Sequence, residues 1–237
     1  MSLKNWRNKQ QFLPGYLGIF FNPFFIARRA LFINIKSISP LFSGNLLDVG
    51  CGSKPYKSLF NVDSYLGMDI ENPGHDHQNE DIDVFYDGNT FPFPDNHFQS
   101  IISNQVLEHV FNPDQFLNEI YRCLKPGGYL LLSLPFAWDE HEQPFDYARY
   151  SSFGLKALLE KNGFKIHKQI KSGNAIQTIF QLLIVALFKA FGLKNKWTIQ
   201  IFTLVFSFPV SLLALILSPL FIKNKDLYLD NIIVCTK

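Results

Sequence analysis

Two groups of residues in this chain have the types and spacing that chemistry needs. The first is spread over four short stretches: Asp48-Val49-Gly50-Cys51-Gly52, Asp69, Asp87-Gly88 and Asn104-Gln105. Glycines two apart allow a tight turn and let backbone approach a ligand with no Cβ in the way. An acid 19 residues after Gly50 is placed to accept hydrogen bonds from ribose hydroxyls. The second group is continuous, from Pro135 to Tyr150, and is dense in titratable and aromatic side chains. Within it His141 has the chemistry of a general base toward a hydroxyl, with Glu142 or Asp146 to orient it. Arg149 either holds an acceptor or pairs with Asp146. His109, beside Glu108, is a competing base, and the bland alternative is that Glu142, Asp146 and Arg149 only tie down a loop.

These groups are positioned by an alternation of strand and helix signals that starts at Asn45 and implies an α/β fold with a mainly parallel sheet. Leu46–Val49, Tyr65–Asp69, Val84–Tyr86, Ser100–Ser103 and Tyr129–Leu134 read as strands one to five, Phe164–Lys168 as a sixth and Asn231–Cys235 as a last. The four stretches of the first group all leave the carboxyl ends of their strands, where a doubly wound sheet binds ligands. Before strand five, Asn112 caps a helix, Pro113 suits its first turn, and Phe116, Leu117, Ile120 and Leu124 share one face. Lys125-Pro126-Gly127-Gly128 is expected to end it. Ser151 or Ser152 caps the next helix, which Asn162-Gly163 stops.

The motifs resemble those of a known family. Leu47-Asp48-Val49-Gly50-Cys51-Gly52 and Leu66-Gly67-Met68-Asp69 look like motifs I and II of class I S-adenosylmethionine-dependent methyltransferases, of the type 11-like group. Phe91–Phe98 with Val106-Leu107-Glu108-His109-Val110 resembles the block around their fourth strand, and Leu124–Leu130 the turn before their fifth. The resemblance implies a Rossmann-like sheet of seven strands with an antiparallel last strand, and S-adenosylmethionine as cofactor. It implies that Asp48, Gly50, Cys51 and Gly52 hold the methionine part, Asp69 the ribose, and Asp87 with Gly88 the adenine. Asn104 completes the set of ligand-facing strand ends. Lys54 replaces the family's usual third glycine, and Gln99 an acid that usually follows the aromatic at Phe98. His141-Glu142-x-Pro144-x-Asp146-x-x-Arg149-Tyr150 resembles a segment of one subgroup and implies a glycan or lipid-glycan hydroxyl, within the small or lipid-linked acceptors expected for the whole chain.

A dehydrogenase is the alternative enzyme, but Pro55 stands where its phosphate-binding turn needs a glycine. A membrane-associated protein that binds the cofactor without turnover is the non-enzymatic alternative. The formal charge of +2 gives no nucleic-acid footprint, and three separated cysteines, Cys51, Cys123 and Cys235, argue against disulfides or zinc. His75-Asp76-His77 is read as a solvated turn, so no metal is expected. No secretory cleavage signal follows the basic start.

The remaining feature is apolar. Thr198–Ile222 is 25 residues without a charge, and Ser172–Phe188 is 17 more, with Lys189, Lys194 and Lys196 between them. Thr203, Ser207, Ser211, Ala214 and Ser218 recur at helical spacing, a face suited to close helix packing. Pro209 is expected to kink the second helix. The organisation expected is a Phe-rich helical segment at 1–43, a core at 44–171, a hydrophobic helical hairpin at 172–223 and the final strand at 224–237. The hairpin implies membrane contact on the cytoplasmic side. A buried lid, or a dimer contact in a cytoplasmic protein, is the alternative.

Overall fold

The computed structural model describes residues 3–70 and 81–237, and the His75-Asp76-His77 triplet lies outside them. The chain divides into two compact units. One comprises Ile35–Phe136, Glu140–Ile170 and Asn231–Lys237; the other comprises Met1–Asn34, Ala137–Asp139 and Lys171–Asp230.

The first unit is built on a seven-stranded sheet in the order β3-β2-β1-β4-β5-β7-β6, with β7 antiparallel. Its strands are β1 (Asn45–Val49), β2 (Ser64–Ile70), β3 (Val84–Tyr86), β4 (Phe98–Asn104), β5 (Leu124–Pro135), β6 (Lys165–Lys171) and β7 (Asp230–Thr236). β1 lies between β2 and β4, parallel to both, with Leu47 opposite Leu66 on one side and Ile101 on the other. Strand order reverses between β1 and β4, so the crevice beyond their carboxyl ends is the topological switch point. Leu46, Leu47 and Val49 are fully buried, as expected for a parallel strand covered on both faces.

Helix α3 (Pro113–Cys123) starts where the side chain of Asn112 accepts the Gln115 N–H. It buries Phe116, Leu117, Ile120 and Cys123 in the same core as Leu47, Val49, Met68 and Leu132. Helix α4 (Ser152–Lys161) is capped by Ser151 Oγ, and Gly163 follows it at φ +89°. The Lys125–Gly128 turn differs from the reading of the sequence. The helix stops at Cys123, and Leu124 already pairs with Phe98, leaving Lys125–Gly128 as an irregularity before Tyr129 meets Ser100. Leu124 is fully buried, while Pro126 lacks a ladder N–H and Gly127 has φ +73°.

The second unit is helical. It contains α1 (Leu3–Phe12), the start of α2 (Phe25–Ile38), α5 (Ala175–Ala190), α6 (Lys196–Phe202) and α7 (Phe208–Leu217). A single helical run covers Lys196–Phe221. The disturbance expected at Pro209 takes the form of a π-turn at Thr203–Ser207, just before the proline. A missing N–H and the ring's clash with the carbonyl four residues back are relieved there without breaking the helix.

Several polar side chains of these helices are hydrogen-bonded inside the unit. Gln181 is fully buried, with Oε1 accepting Ala27 N–H at 3.3 Å, and Ser207 Oγ donates to Pro23 O at 2.8 Å. Gln200 Nε2 donates to Phe20 O at 2.8 Å, and Asn174 Nδ2 to Ser218 Oγ at 2.9 Å. Phe20 packs on Phe208, and Phe24 on Phe188 and Trp138. The Phe-rich start is therefore a packing partner of the apolar stretch within one unit.

Candidate functional site

The turn after β1 is shaped by glycine. Gly50 has φ +71°, and a Cβ there would fall 2.3 Å from Val106 Cγ2; Gly52 has φ +45°. Gly50→Ala is expected to destabilise the fold by about 2–4 kcal/mol, the sum of left-handed strain and overpacking. Thermal denaturation with and without cofactor checks this. The N–H groups of Gly50 and Cys51 go to Met68 O, and that of Gly52 goes to Asp69 Oδ2 at 2.9 Å. Asp69 thus braces the turn from the end of β2.

Lys54 occupies the family's third-glycine position at φ +48° with its side chain almost fully buried. Its Nζ lies 2.7 Å from Asp83 Oδ2, and the same oxygen accepts Gly67 N–H at 2.6 Å. Lys54 thereby ties the glycine turn to β2 and to the entry of β3. Burial opposes the lysine's charge, but the bond to Asp83 outweighs it and raises its pKa. Gly67 provides the room, because a Cβ there would meet Lys54 Cε at 2.2 Å.

Asp48 is 4% exposed, and one of its oxygens accepts the Tyr65 hydroxyl at 2.5 Å. Burial raises its pKa to about 7, with the Tyr65 bond opposing and Asp69 adding to the rise. A buried carboxylate in that state suits a cationic group brought by a ligand. Asp87 Oδ1 accepts Asn89 and Thr90 N–H groups after β3, and Gly88 follows at φ +82°. Asn104 ends β4 with Oδ1 accepting from Ser133 Oγ at 3.0 Å.

A second cluster forms where the turn Leu107–His109 meets the segment after β5. Tyr147 and Ala148 N–H groups both donate to Glu108 O, and His109 Nδ1 is 2.9 Å from Phe145 O. Asp146 accepts His141 N–H at 3.0 Å and lies 3.2 Å from His141 Nδ1. Both terminal nitrogens of Arg149 reach Asp146, at 2.5 and 2.6 Å. Burial would raise the Asp146 pKa, but the Arg149 and His141 contacts prevail and hold it at about 2. Glu142, at φ +51°, turns instead toward His109, with Oε2 3.7 Å from Nε2. The two imidazoles stand edge to face, 4.8 Å apart.

Sequence reasoning missed Glu108 as a member of this cluster, and Tyr65, Lys54 and Asp83 in the first. Glu108 is fully buried and, with His109 and His141, offers donor atoms all within 4.8 Å, a spacing that could hold a cation. Its only signal was its place in the Val106–Val110 motif. Tyr65 and Asp83 carried none, because their partners are distant in sequence.

Comparisons with known proteins bear on the family and the fold. A family model described as a methyltransferase domain matches residues 26–169. A probable S-adenosylmethionine-dependent methyltransferase of Mycolicibacterium smegmatis is 33% identical over 81 residues, 32% of each chain. A mitochondrial ubiquinone biosynthesis O-methyltransferase of Dictyostelium discoideum is 32% identical over 119 residues, 40% of this chain and 36% of the relative. The match with these two relatives, and with others among the curated proteins, spans about a third of their length. Among solved structures, an S-adenosylmethionine-dependent methyltransferase from Mesorhizobium loti superposes with a TM-score of 0.54 at 12% identity, covering 88% of this chain and 98% of that one. The [4+2]-cyclase SpnF superposes with a TM-score of 0.56 at 20% identity, covering 89% and 81%. The glycine turn at the switch point, the acid ending β2 and the matched family model lead to one assignment: the chain belongs to the class I S-adenosylmethionine-dependent methyltransferases.

Proposed function

We propose that this protein methylates a hydroxyl of a small or lipid-linked acceptor, with a glycan-bearing lipid among the candidates, and that His141 is the base. The observation that carries the reading is the Arg149–Asp146–His141 chain. A carboxylate 3.2 Å from Nδ1 favours the tautomer with its proton on that atom, over the 3.4 Å approach of Arg149 Nη2. The Nε2 lone pair is then left for an acceptor proton. Arg149 keeps Asp146 ionised, and Asp146 keeps the ring oriented. His109, held at Nδ1 by Phe145 O, is the second candidate for the same proton.

S-adenosylmethionine supplies a methyl already activated on a sulfonium, so the protein's task is alignment and exclusion of water. Asp48 with the Gly50-Cys51-Gly52 turn would hold the methionine part, Asp69 the ribose, and Asp87 with Gly88 the adenine. Asn104 would close the pocket from the end of β4. The fold also hosts a cyclase among its structural likenesses, so the reaction rests on the site and not on the sheet alone. The reading is tested by mass spectrometry for a methylated hydroxyl compound that disappears on gene deletion and returns with wild type but not with His141→Ala. Cofactor binding with no methylated product under any condition would leave a non-catalytic binding protein.

Asp48 gives the site a pH dependence. With a folded pKa of about 7, the free protein binds a proton there that a cationic ligand group must displace. Affinity for S-adenosylmethionine should therefore fall by about tenfold from pH 8 to pH 6, with proton release on binding. Calorimetry in two buffers of different ionisation enthalpy measures both. The fold without ligand behaves oppositely. The raised pKa contributes stability that is present below the ordinary carboxylate value of 3.8 and lost as pH rises through about 7. Asp48→Asn should abolish both trends.

A further inference from the structure

The helical unit is inside out for a protein surface in water. Thr178, Gln181 and Thr203 are fully buried, and Ser207 and Ser211 are 1% exposed. The outward positions are large and apolar: Ile201 is 61% exposed, Val205 73%, Leu213 47%, Ile216 64%, Leu220 78% and Ile222 62%. All but Ile222 belong to a helical run of 26 residues whose most apolar 18-residue window has mean hydropathy 2.3 and is only 28% buried. Soluble surfaces rarely carry so extended an apolar face, whereas lipid-facing helices keep small and polar groups for packing and hydrogen bonds between helices.

Charge identifies what covers that face. The helical unit has eleven Lys and Arg against three Asp and Glu, a net of +8, whereas the remainder of the chain has eleven against seventeen, a net of −6. Ser172–Lys225 contains five lysines and no acid, and Met1–Asn34 contains five cations and no acid. Lys194 and Lys196 stand at one end of the apolar run, and Lys223 and Lys225 just beyond the other. An apolar face with cations at both ends matches acyl chains beneath anionic headgroups.

Geometry also distinguishes lying in a leaflet from crossing the bilayer. Helix α5 has 16 residues, or about 24 Å at 1.5 Å per residue, short of the roughly 30 Å of a hydrocarbon core. A crossing hairpin would carry Lys189, Lys194 and Lys196 through that core at its tip. A hairpin lying flat keeps both lysine groups at headgroup level, where long side chains snorkel.

We propose that the helical unit inserts monotopically into one leaflet of an anionic phospholipid membrane, with the Ile201–Ile222 face in the acyl layer. This deepens the proposed function, because it names the surface at which a lipid-linked acceptor would be met. The test is flotation of the full chain with phosphatidylcholine vesicles, with and without about one-third phosphatidylglycerol. Wild type is expected to float with anionic vesicles, at least about tenfold less with neutral ones, and less in high salt. Val205→Glu with Ile216→Glu, both at exposed positions, should lower the bound fraction at least about tenfold while cofactor binding is kept. Lys194→Cys should react with a bulky maleimide added outside sealed vesicles, since the three native cysteines are buried.

Wild type that floats with neither vesicle, or a Lys194→Cys thiol protected until detergent is added, overturns the proposal. Vesicle-independent dimers that the double variant turns into monomers also overturn it, making the face a subunit contact. Cofactor binding is scored separately. Flotation without methyl transfer would sink the transferase reading alone, and transfer to soluble acceptors without flotation would sink this one alone.

Discussion

Replacing His141 by alanine is expected to lower the methyl-transfer rate about 10²–10⁴-fold, the usual contribution of a positioned general base. Cofactor affinity should stay unchanged, because His141 belongs to the cluster around Asp146 and Arg149 and not to the glycine turn. In the proposed role the ring would act through Nε2, with Asp146 3.2 Å from Nδ1 to orient it. Asp146→Asn should therefore lower the rate in the same direction. His141→Gln keeps a polar side chain without the imidazole, and it should be as slow as the alanine variant. Single-turnover rates with saturating cofactor make the measurement. A loss under tenfold in His141→Ala, with a large loss in His109→Ala, would transfer the role to the neighbouring ring.

Asp69→Ala should weaken S-adenosylmethionine binding by about 1–3 kcal/mol, roughly 5- to 150-fold, through lost hydrogen bonds to a carboxylate. Two effects add at this position. Asp69 would accept the ribose hydroxyls, and it already accepts the Gly52 N–H at 2.9 Å, so its loss also loosens the turn. Asp69→Asn separates them, since an amide oxygen still accepts from Gly52 but carries no charge toward the ribose. Calorimetry on the three proteins gives the comparison, with NAD as a control ligand. Unchanged affinity in both variants would remove Asp69 from the ribose site, and equal binding of NAD would contradict the reading of the glycine turn.

Much of the sheet was legible in the sequence because its signals are local. β1 reads as a strand from Leu46 to Val49 because four residues buried on both faces leave little choice, and Gly50 must follow because the turn needs φ +71°. Asn112 and Pro113 start α3 through hydrogen bonds and torsions within four residues of one another. The irregularity at Lys125–Gly128 was less legible, since a Pro-Gly-Gly run ends a helix and interrupts a ladder equally well. Only the burial of Leu124 against β4 decides between them.

The residues of the glycine turn, the acid ending β2 and the titratable segment after β5 were thus set by sequence alone. The tertiary structure alone decided which of them touch. Tyr65 reaches Asp48 across 17 residues and Lys54 reaches Asp83 across 29. Asp146, and not Glu142, comes to His141, because the backbone at Glu142 turns to φ +51° and sends that carboxylate toward His109. Spacing along the chain orders residues that share an element, but side chains from different elements meet only as packing directs them. The apolar stretch shows the same division. Its composition and the spacing of Thr203, Ser207, Ser211 and Ala214 announced helices with one small, polar packing face, yet the partners met, Pro23 by Ser207 and Ala27 by Gln181, were set by tertiary contact. Gln181, Ser207 and Asn174 find partners inside the unit, and many of the large apolar side chains are left facing outward.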